Sequence, residues 1–302
     1  MVAKIGRHDI FTIKDTQMIR LFDFTYEYDD PIEDEKKYVN IFKDFTLDKC
    51  FYFSYTYNLT IKMQDMIMKK LKASDKNKGH KRKFSNYKKS FSAMRNTYDF
   101  TSFQKKFSNN TSKTSEEEET FQAETYFPWN ENFMWNYWLI HEFFSIINDK
   151  RWVMPVIHGY INCSNLDIKS KMCNIILIAR RSRHFAGTRY LKRGLNEEGR
   201  VANFVEVEQI VYSQMSKDDK PLVSSFVQVR GSVPLFWSQD PSPLIAKPEI
   251  VLSTSDVDYK ATKRHIADLF QRYSLPLIIF NLTKETDARE AMLSDEYKHV
   301  IG

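Results

Sequence analysis

Apolar and polar side chains alternate along residues 51–60. Phe51, Phe53, Tyr55 and Leu59 fall at odd positions, and mostly polar residues stand between them. Because successive side chains of a β-strand point to opposite faces, this alternation predicts a half-buried strand over the whole range.

Two further patterned regions are rich in aromatic side chains. Residues 132–147 carry them in a helix-like register, and residues 152–160 have the composition of a strand. Large aromatic side chains at such spacings usually lie in a core. We therefore expect Trp135, Trp138 and Trp152 to be packed inside the protein, with no role in binding a ligand.

Short apolar runs and helix-like runs alternate from about residue 172 onward. The apolar runs predict strands at residues 173–180, 224–230 and 277–281. Apolar positions at helical spacing predict helices at residues 262–273 and 287–299, and Pro276 lies just after the first of them. Interleaved strands and helices are typical of a mixed α/β layer.

The positive charge is concentrated in one segment. Residues 62–113 contain fifteen Lys or Arg against three Asp, whereas the rest of the chain has thirty basic and thirty-six acidic residues. An acidic run follows at residues 116–119. Such composition rarely closes a core, so residues 62–124 are predicted to be a disordered basic and acidic insertion. It is either a solvated loop without a role or a segment attracted to an anionic membrane face.

Cysteine, histidine and hydropathy patterns exclude several classes of protein. Three cysteines at unrelated spacings argue against a disulfide framework and suit a reducing compartment. His141 and Glu142 lack the second histidine of a His-Glu-x-x-His zinc site, because Ser145 stands there. No apolar run approaches the length of a membrane span, and the N-terminus lacks a signal-peptide core. A cytoplasmic protein is therefore expected.

Residues 180–200 combine cations with glycines. Seven cations fall within these 21 positions, namely Arg180, Arg181, Arg183, Arg189, Lys192, Arg193 and Arg200. Three glycines among them allow turns that bring backbone amides close to an anion. Arginine forks can hold phosphate oxygens, so a phosphorylated ligand is one interpretation. The other is that most of these side chains lie at the surface or pair with Glu197, Glu198, Glu206 and Glu208. No zinc-finger spacing or aromatic stacking signature supports binding to nucleic acid, and none is expected.

The motifs of this region, in their order, resemble those of Sac-domain phosphoinositide phosphatases. They are Arg180-Arg-Ser182, Ala186-Gly-Thr-Arg189, Arg193-Gly194, Gly199, Val201-Ala-Asn203, Glu206-x-Glu208-Gln209 and Arg230-Gly-Ser-Val-Pro-Leu-Phe-Trp237. Residues 51–60 resemble an upstream strand of the same domain. Further details, such as Ser238-Gln-Asp240 and residues 270–281, are most similar to the subfamily acting on phosphatidylinositol 3,5-bisphosphate.

The resemblance implies an α+β fold built as a Sac domain. A β-rich N-terminal subdomain would comprise residues 1–61 and 125–170, interrupted by the insertion at 62–124. Residues 171–302 would form the first part of an α/β catalytic subdomain.

The resemblance also implies a reaction and its supporting residues. In this family a cysteine thiolate of a Cys-x5-Arg loop attacks a phosphate monoester on the inositol ring, so no metal ion or organic cofactor is expected. The candidates for supporting the substrate or the phosphate loop are Arg189, Arg193, Asn203, Glu206, Glu208, Arg230, Gly231 and Ser232. For Arg230, we expect a buried pairing, either with Glu206 or Glu208 or in ordering the phosphate loop.

The chain departs from the family pattern at the nucleophile. The residues six positions after Cys50, Cys163 and Cys173 are not arginines, so the Cys-x5-Arg loop is absent from these 302 residues. We expect the chain as given to be catalytically inactive. It is then either a fragment of a longer enzyme or a domain that has lost its catalytic half.

The implied partners are a phosphoinositide lipid at a membrane surface and a complex with a scaffold protein and a phosphoinositide kinase. The implied location is cytoplasmic, peripheral on endosomal or vacuolar membranes. Two alternatives stay open, a non-catalytic Sac module that binds the scaffold and a charge-driven membrane-binding protein.

Overall fold

The computed structural model describes most of the chain outside the charged insertion. The described residues are 1, 3–5, 8–15, 37, 40, 50–66, 129–147, 149–168, 171–188, 191–213, 222–239, 248–253, 256–274, 276–284 and 286–301. The chain divides into two compact units, Met1–Lys62 with Pro128–Gly302, and Met63–Phe127. Nearly all described residues belong to the first unit. The predicted insertion at residues 62–124 falls almost entirely outside the described residues.

A seven-stranded antiparallel sheet forms the centre of the first unit, and its strands follow one another in chain order. They are β1 (Ala3–Ile5), β2 (His8–Thr12), β3 (Phe51–Phe53), β4 (Ile157–Ile168), β5 (Lys171–Arg181), β6 (Val205–Ser213) and β7 (Leu222–Arg230). A separate two-stranded sheet pairs β8 (Trp237–Gln239) with β9 (Ile250–Leu252). The apolar runs at residues 173–180 and 224–230 lie within β5 and β7, which confirms both predicted strands.

Three α-helices of eleven residues or more accompany the strands among the described residues. They are α1 (Tyr137–Ile147), α2 (Lys260–Tyr273) and α3 (Ala288–Ile301), and short 3₁₀ turns lie at Glu131–Phe133 and Lys150–Trp152. Helices α2 and α3 confirm the predictions at residues 262–273 and 287–299. Asp256 starts α2, because its carboxylate accepts from the backbone N–H groups of Lys260 and Ala261 at 2.9 and 2.8 Å. The mixture of antiparallel sheet and helices confirms the α+β class.

One face of strands β4 to β6 is closed to solvent over the half nearest the motif loops, whereas Cys163 and Asn165 of β4 on the same face are exposed. Ile161, Ile176, Ile178 and Ile210 lie on the closed part with at most 4% of their surface exposed. Beyond the end of the sheet, a second apolar cluster joins the loop residues Leu195, Val201 and Phe204 to Phe133 and to Ala261 and Leu269 of α2. This cluster fixes the motif loops against helix α2.

The strand predicted over residues 51–60 is too long, because β3 ends at Phe53. Polar side chains turn the backbone after that point. Ser54 Oγ donates to the Asp9 carbonyl at 2.6 Å and accepts from the Tyr57 N–H. Tyr55 points to solvent, while Tyr57 becomes buried. The alternation therefore persists in the sequence, but the chain is no longer extended.

The expectation that the tryptophans are core residues is wrong for two of them. Trp138 is 67% exposed and Trp152 is 71% exposed. Helix α1 is apolar around most of its circumference, so it can bury Ile140 and Phe144 and still present other apolar side chains to solvent.

The predicted strand at residues 277–281 is also wrong. Apolar side chains such as those of Ile278 and Phe280 are largely exposed there, and no described strand pairs with this segment. A strand requires a hydrogen-bonding neighbour, and apolar composition alone does not supply one.

Candidate functional site

A buried ion-pair cluster lies at the centre of the candidate site. Arg180 of β5 is fully buried between Glu206 and Glu208 of β6. Its Nη1 donates to Glu206 Oε1 at 3.0 Å, and its Nη2 donates to Glu208 Oε2 at 2.7 Å. The three side chains share a face because Glu206 is the register partner of Arg180 and strand residues two apart point the same way.

The other carboxylate oxygens of this cluster are also paired. Tyr273 of α2 donates its hydroxyl to Glu206 Oε2 at 2.7 Å, and Ser225 of β7 donates to Glu208 Oε1 at 2.8 Å. Each of the four oxygens therefore has a donor, which offsets the cost of burying two carboxylates. The cluster joins β5, β6, β7 and α2 at one point.

Arg180 also reaches a distant segment of the chain. Its Nε donates to the Leu59 carbonyl and its Nη2 to the Ile61 carbonyl, the latter at 3.3 Å. The next residue, Lys62, donates to the Arg272 carbonyl at 2.9 Å and lies 4.5 Å from the centre of the Tyr273 ring. The segment that leads into the insertion is thus held on both β5 and α2.

The charge state of this cluster follows from its surroundings. Burial, and then the Glu208 carboxylate, raise the pKa of Tyr57. Burial and the Glu206 carboxylate likewise raise the pKa of Tyr273, so its hydroxyl stays protonated and donates. Burial acts to lower the pKa of Arg180, but the two carboxylates outweigh it and the pKa rises. The guanidinium is therefore permanently charged.

Three hydrogen bonds, two between backbone groups and one to a side chain, link three motifs into a closed ring. The Gly194 N–H donates to Ser232 Oγ at 2.9 Å, the Ser232 N–H donates to the Ala202 carbonyl at 3.1 Å, and the Ala202 N–H donates to the Gly194 carbonyl at 2.8 Å. Gly194 has a φ of +65°, a conformation that favours glycine. Ser232 therefore acts as a structural partner of the Gly194 turn.

A second set of bonds fixes Asn203. Its Oδ1 accepts from Arg181 Nη2 and from the Gly187 N–H, the latter at 3.3 Å. Arg181 Nη2 also donates to the Gly187 carbonyl at 2.8 Å. Asn203 has a φ of +55°, which asparagine tolerates better than most residues. The site candidate Asn203 thus orders the loop that contains Gly187.

Two candidate cations keep access to solvent. Arg193 is half-buried, donates to Gln239 Oε1 at 2.9 Å and lies 5.3 Å from the centre of the Trp237 ring. Arg230 is exposed at the end of β7 and is followed by the exposed Gly231. A third candidate, Arg189, lies outside the described residues.

The expected pairing of Arg230 with Glu206 or Glu208 is wrong, whereas its role in ordering the phosphate loop stays a prediction. Glu206 and Glu208 point to the closed face of the sheet and pair with Arg180, whereas Arg230 is exposed. The register explains the difference, because Arg230 is opposite Val205, one residue before Glu206, and so shares the other face.

The site depends on three residues that are not among the candidates predicted from the motifs. Tyr57 is buried and Tyr273 is partly buried beside the ion pairs that Arg180 makes with Glu206 and Glu208. A sequence signal for Arg180 exists, since it stands two positions after Ile178 on an apolar strand face. A charge at such a position needs buried partners, and Glu206 and Glu208 have the matching spacing on β6.

Stability is expected to fall as the solution becomes more acidic, because buried His265 resists protonation. Burial lowers the pKa of His265 from 6.5 to about 4, and His265 Nδ1 lies 3.1 Å from the Gly199 carbonyl. The unfolded chain binds a proton near pH 6.5 and the folded chain only near pH 4, so stability is lost between these values as pH falls. Between pH 7 and pH 5 the expected loss from His265 is about 2 kcal/mol.

Urea unfolding at pH 7 and pH 5 measures this effect. His184, whose pKa burial and Arg183 also lower to about 4, adds to the same trend. The variant His265→Gln should show a weaker dependence on pH than the wild type. An equal dependence in the two proteins would contradict the assignment to His265.

Among the described residues, no group of three or more His, Cys, Asp and Glu side chains is arranged to hold a metal ion. In the same part of the chain, no helix has both the length and the apolar character needed to cross a bilayer.

The fold and the site define an α+β domain. In it, an antiparallel sheet carries a buried ion-pair cluster, and hydrogen bonds between motif residues close the loops at its end. A family model described as the SacI homology domain matches residues 1–302, and the chain belongs to this family.

Individual relatives carry phosphoinositide phosphatase names. The chain is 33% identical to "Phosphoinositide phosphatase SAC5" of Arabidopsis thaliana over 305 residues, which covers 99% of this chain and 32% of that protein. It is 45% identical to "Phosphoinositide phosphatase SAC2" of the same plant over 171 residues, covering 56% of this chain and 21% of the relative. It is 39% identical to the "Polyphosphoinositide phosphatase" of Schizosaccharomyces pombe over 180 residues, covering 56% of this chain and 22% of that protein. The chain thus spans between about a fifth and a third of these relatives.

Proposed function

We propose that this chain forms part of a phosphatase that removes phosphate from phosphoinositides. Its substrate is phosphatidylinositol 3,5-bisphosphate, and the 5-phosphate is the group removed. The observation that carries the proposal is the set of SacI-family motif loops, locked together at the end of the sheet where Arg193 and Arg230 keep access to solvent. The name of the fission yeast relative supports a polyphosphoinositide substrate.

In this proposal the described residues support the chemistry and bind charge, and they do not supply the nucleophile. The thiolate belongs to a Cys-x5-Arg loop, which these 302 residues do not contain. A thiolate attack on a phosphate monoester needs donors that hold the phosphoryl oxygens. Among the described residues, Arg193 and Arg230 are the candidates for contacting the anionic headgroup.

The domain organisation is part of the same proposal. Residues 1–61 and 125–170 form the β-rich subdomain, 62–124 the insertion, and 171–302 part of the α/β catalytic subdomain. The exposed apolar segment at residues 277–281 supports the last assignment, because no described strand pairs with it and its composition suits a strand of a larger sheet. The enzyme acts at endosomal or vacuolar membranes, beside a scaffold protein and a phosphoinositide kinase.

A second candidate function is a non-catalytic Sac module that binds this scaffold, which is supported by the motif residues that hold the loops together. Sequencing the longest transcript of the gene and assaying its product against a phosphoinositide panel separates the two. We expect the product to contain a Cys-x5-Arg loop and to release phosphate from phosphatidylinositol 3,5-bisphosphate. The 302-residue chain alone should release no phosphate. Release by the 302-residue chain would overturn the thiolate mechanism, and no release by a product carrying the loop would favour the scaffold module.

Replacing Arg230 with alanine is expected to weaken binding to vesicles containing phosphatidylinositol 3,5-bisphosphate about tenfold, because a charge-assisted contact to phosphate is lost. Vesicle co-sedimentation at constant salt measures the affinity. The free energy of unfolding should change by less than about 0.5 kcal/mol, since the side chain is exposed.

Lys263→Ala is the matched control, because it removes one exposed positive charge from α2, outside the motif loops. Equal losses of affinity in the two variants would show a general charge effect and contradict a specific role for Arg230. Deleting residues 62–113 tests the charge-driven alternative in the same assay. If binding depends on that segment alone, the alternative is favoured.

A further inference from the structure

A small pocket lies between the turn at residues 130–133, the end of β5 and helix α2. Its volume is about 10 Å³, which is close to the minimum for one water molecule and too small for a phosphate group. The lining residues include Asn132, Ser182, Arg200, Asp268 and Arg272. This pocket is separate from the exposed cations Arg193 and Arg230.

Two polar atoms of the lining residues are buried without a protein partner. They are Asn132 Oδ1, an acceptor, and Arg272 Nε, a donor, and neither has a hydrogen bond in the described part of the chain. Asn132 Nδ2 donates to Asn130 Oδ1 at 3.1 Å, so the amide oxygen is the end left unpaired. An unpaired buried donor or acceptor costs about 1–3 kcal/mol, so both atoms need a partner.

The charges around the pocket select a neutral partner. Asp268 pairs with Arg272 and lies 3.6 Å from Arg200, so its carboxylate is shared between two guanidinium groups. An added anion would face this carboxylate and the Asn132 oxygen. An added cation would face the two guanidinium groups. A molecule that both donates and accepts hydrogen bonds avoids both conflicts.

We propose that this pocket binds one structural water molecule. The water donates to Asn132 Oδ1 and accepts from Arg272 Nε, and it thereby joins the 130–133 turn to helix α2. This bridge adds to the Lys62–Arg272 contact at the same end of the helix, where Lys62 Nζ donates to the Arg272 carbonyl.

A crystal structure at high resolution, from crystals soaked in sodium bromide, tests the proposal. We expect a density peak within hydrogen-bond distance of both atoms and no anomalous signal there at the bromine edge. An anomalous peak would show an anion site, and the lack of any peak would show a dry pocket. Either result overturns the proposal.

Two variants at Asn132 sharpen the test. Asn132→Leu removes the acceptor and fills space, so the peak should disappear. Asn132→Asp keeps an oxygen at the same place, so the peak should remain. A peak that persists in Asn132→Leu would contradict the assigned role of the amide oxygen. If Asn132→Leu does not fold, the bromide experiment on the wild type still decides the question.

Discussion

Replacing Arg180 with methionine is expected to destabilise the protein by about 3–5 kcal/mol, because it removes the cation from a buried ion-pair cluster. Methionine preserves much of the side-chain volume but carries no charge. Glu206 and Glu208 would then be buried carboxylates without a cation, and the Leu59 and Ile61 carbonyls would lose a donor. Urea unfolding followed by circular dichroism measures the change.

Two comparisons show whether unpaired charge causes this loss. The triple variant Arg180→Met/Glu206→Gln/Glu208→Gln removes all three charges, so it should recover much of the lost stability. Arg230→Met is the matched control, because this arginine lies at the end of β7 in the same sheet but is exposed. Its stability should change by less than about 0.5 kcal/mol. A triple variant no more stable than Arg180→Met would show that lost packing, and not unpaired charge, dominates.

Local patterns are sufficient to predict the helices of the second half. Ile266, Leu269, Phe270 and Tyr273 follow helical spacing, and α2 ends at Tyr273, before the predicted stop at Pro276. Such elements are predictable because the spacing that defines them also defines the face that packs on the core.

Strand boundaries are less predictable, because they depend on a neighbour. Residues 54–60 keep the alternation of β3, but Ser54 bonds to the backbone of β2 and starts a turn. Residues 277–281 have the composition of a strand but no described strand beside them. Composition records which side chains suit a sheet, and only the fold determines whether a partner strand is present.

The motifs locate the candidate site, but they do not reveal the roles within it. The contact between Arg180 and the Leu59 carbonyl joins residues 121 positions apart, and no local pattern predicts it. The alternation of side chains along a strand predicts part of the arrangement. It places Arg180, Glu206 and Glu208 on one face of the sheet and Arg230 on the other. Most of the described motif residues hold the loops together. Among the described candidates, Arg193 and Arg230 remain for contacting a ligand.

Replacing Gly194 with alanine is expected to destabilise the protein by about 3 kcal/mol. The φ of +65° at this position costs a non-glycine residue about 1 kcal/mol or more. The new Cβ would also lie 2.4 Å from the Leu235 carbonyl oxygen and 3.0 Å from the Trp237 N atom. Both neighbours are backbone atoms, so the turn itself must shift, and the ring of bonds to Ser232 and Ala202 should open.

Gly187→Ala provides a matched comparison in the neighbouring loop. Gly187 has no positive φ, and its new Cβ would meet the Cγ and Cβ atoms of Lys192, a side chain and not backbone. Rotation of Lys192 moves Cγ away, but the contact with Lys192 Cβ at 2.9 Å requires a small shift of the loop. The loss of stability should therefore be smaller, about 1 kcal/mol. Thermal and urea unfolding of both variants measure the difference, and vesicle binding shows whether opening the Gly194 turn also displaces Arg193. Equal losses in the two variants would mean that the Leu235 and Trp237 backbone yields easily, and the motif ring would then not be the rigid support proposed for the ligand-contacting arginines.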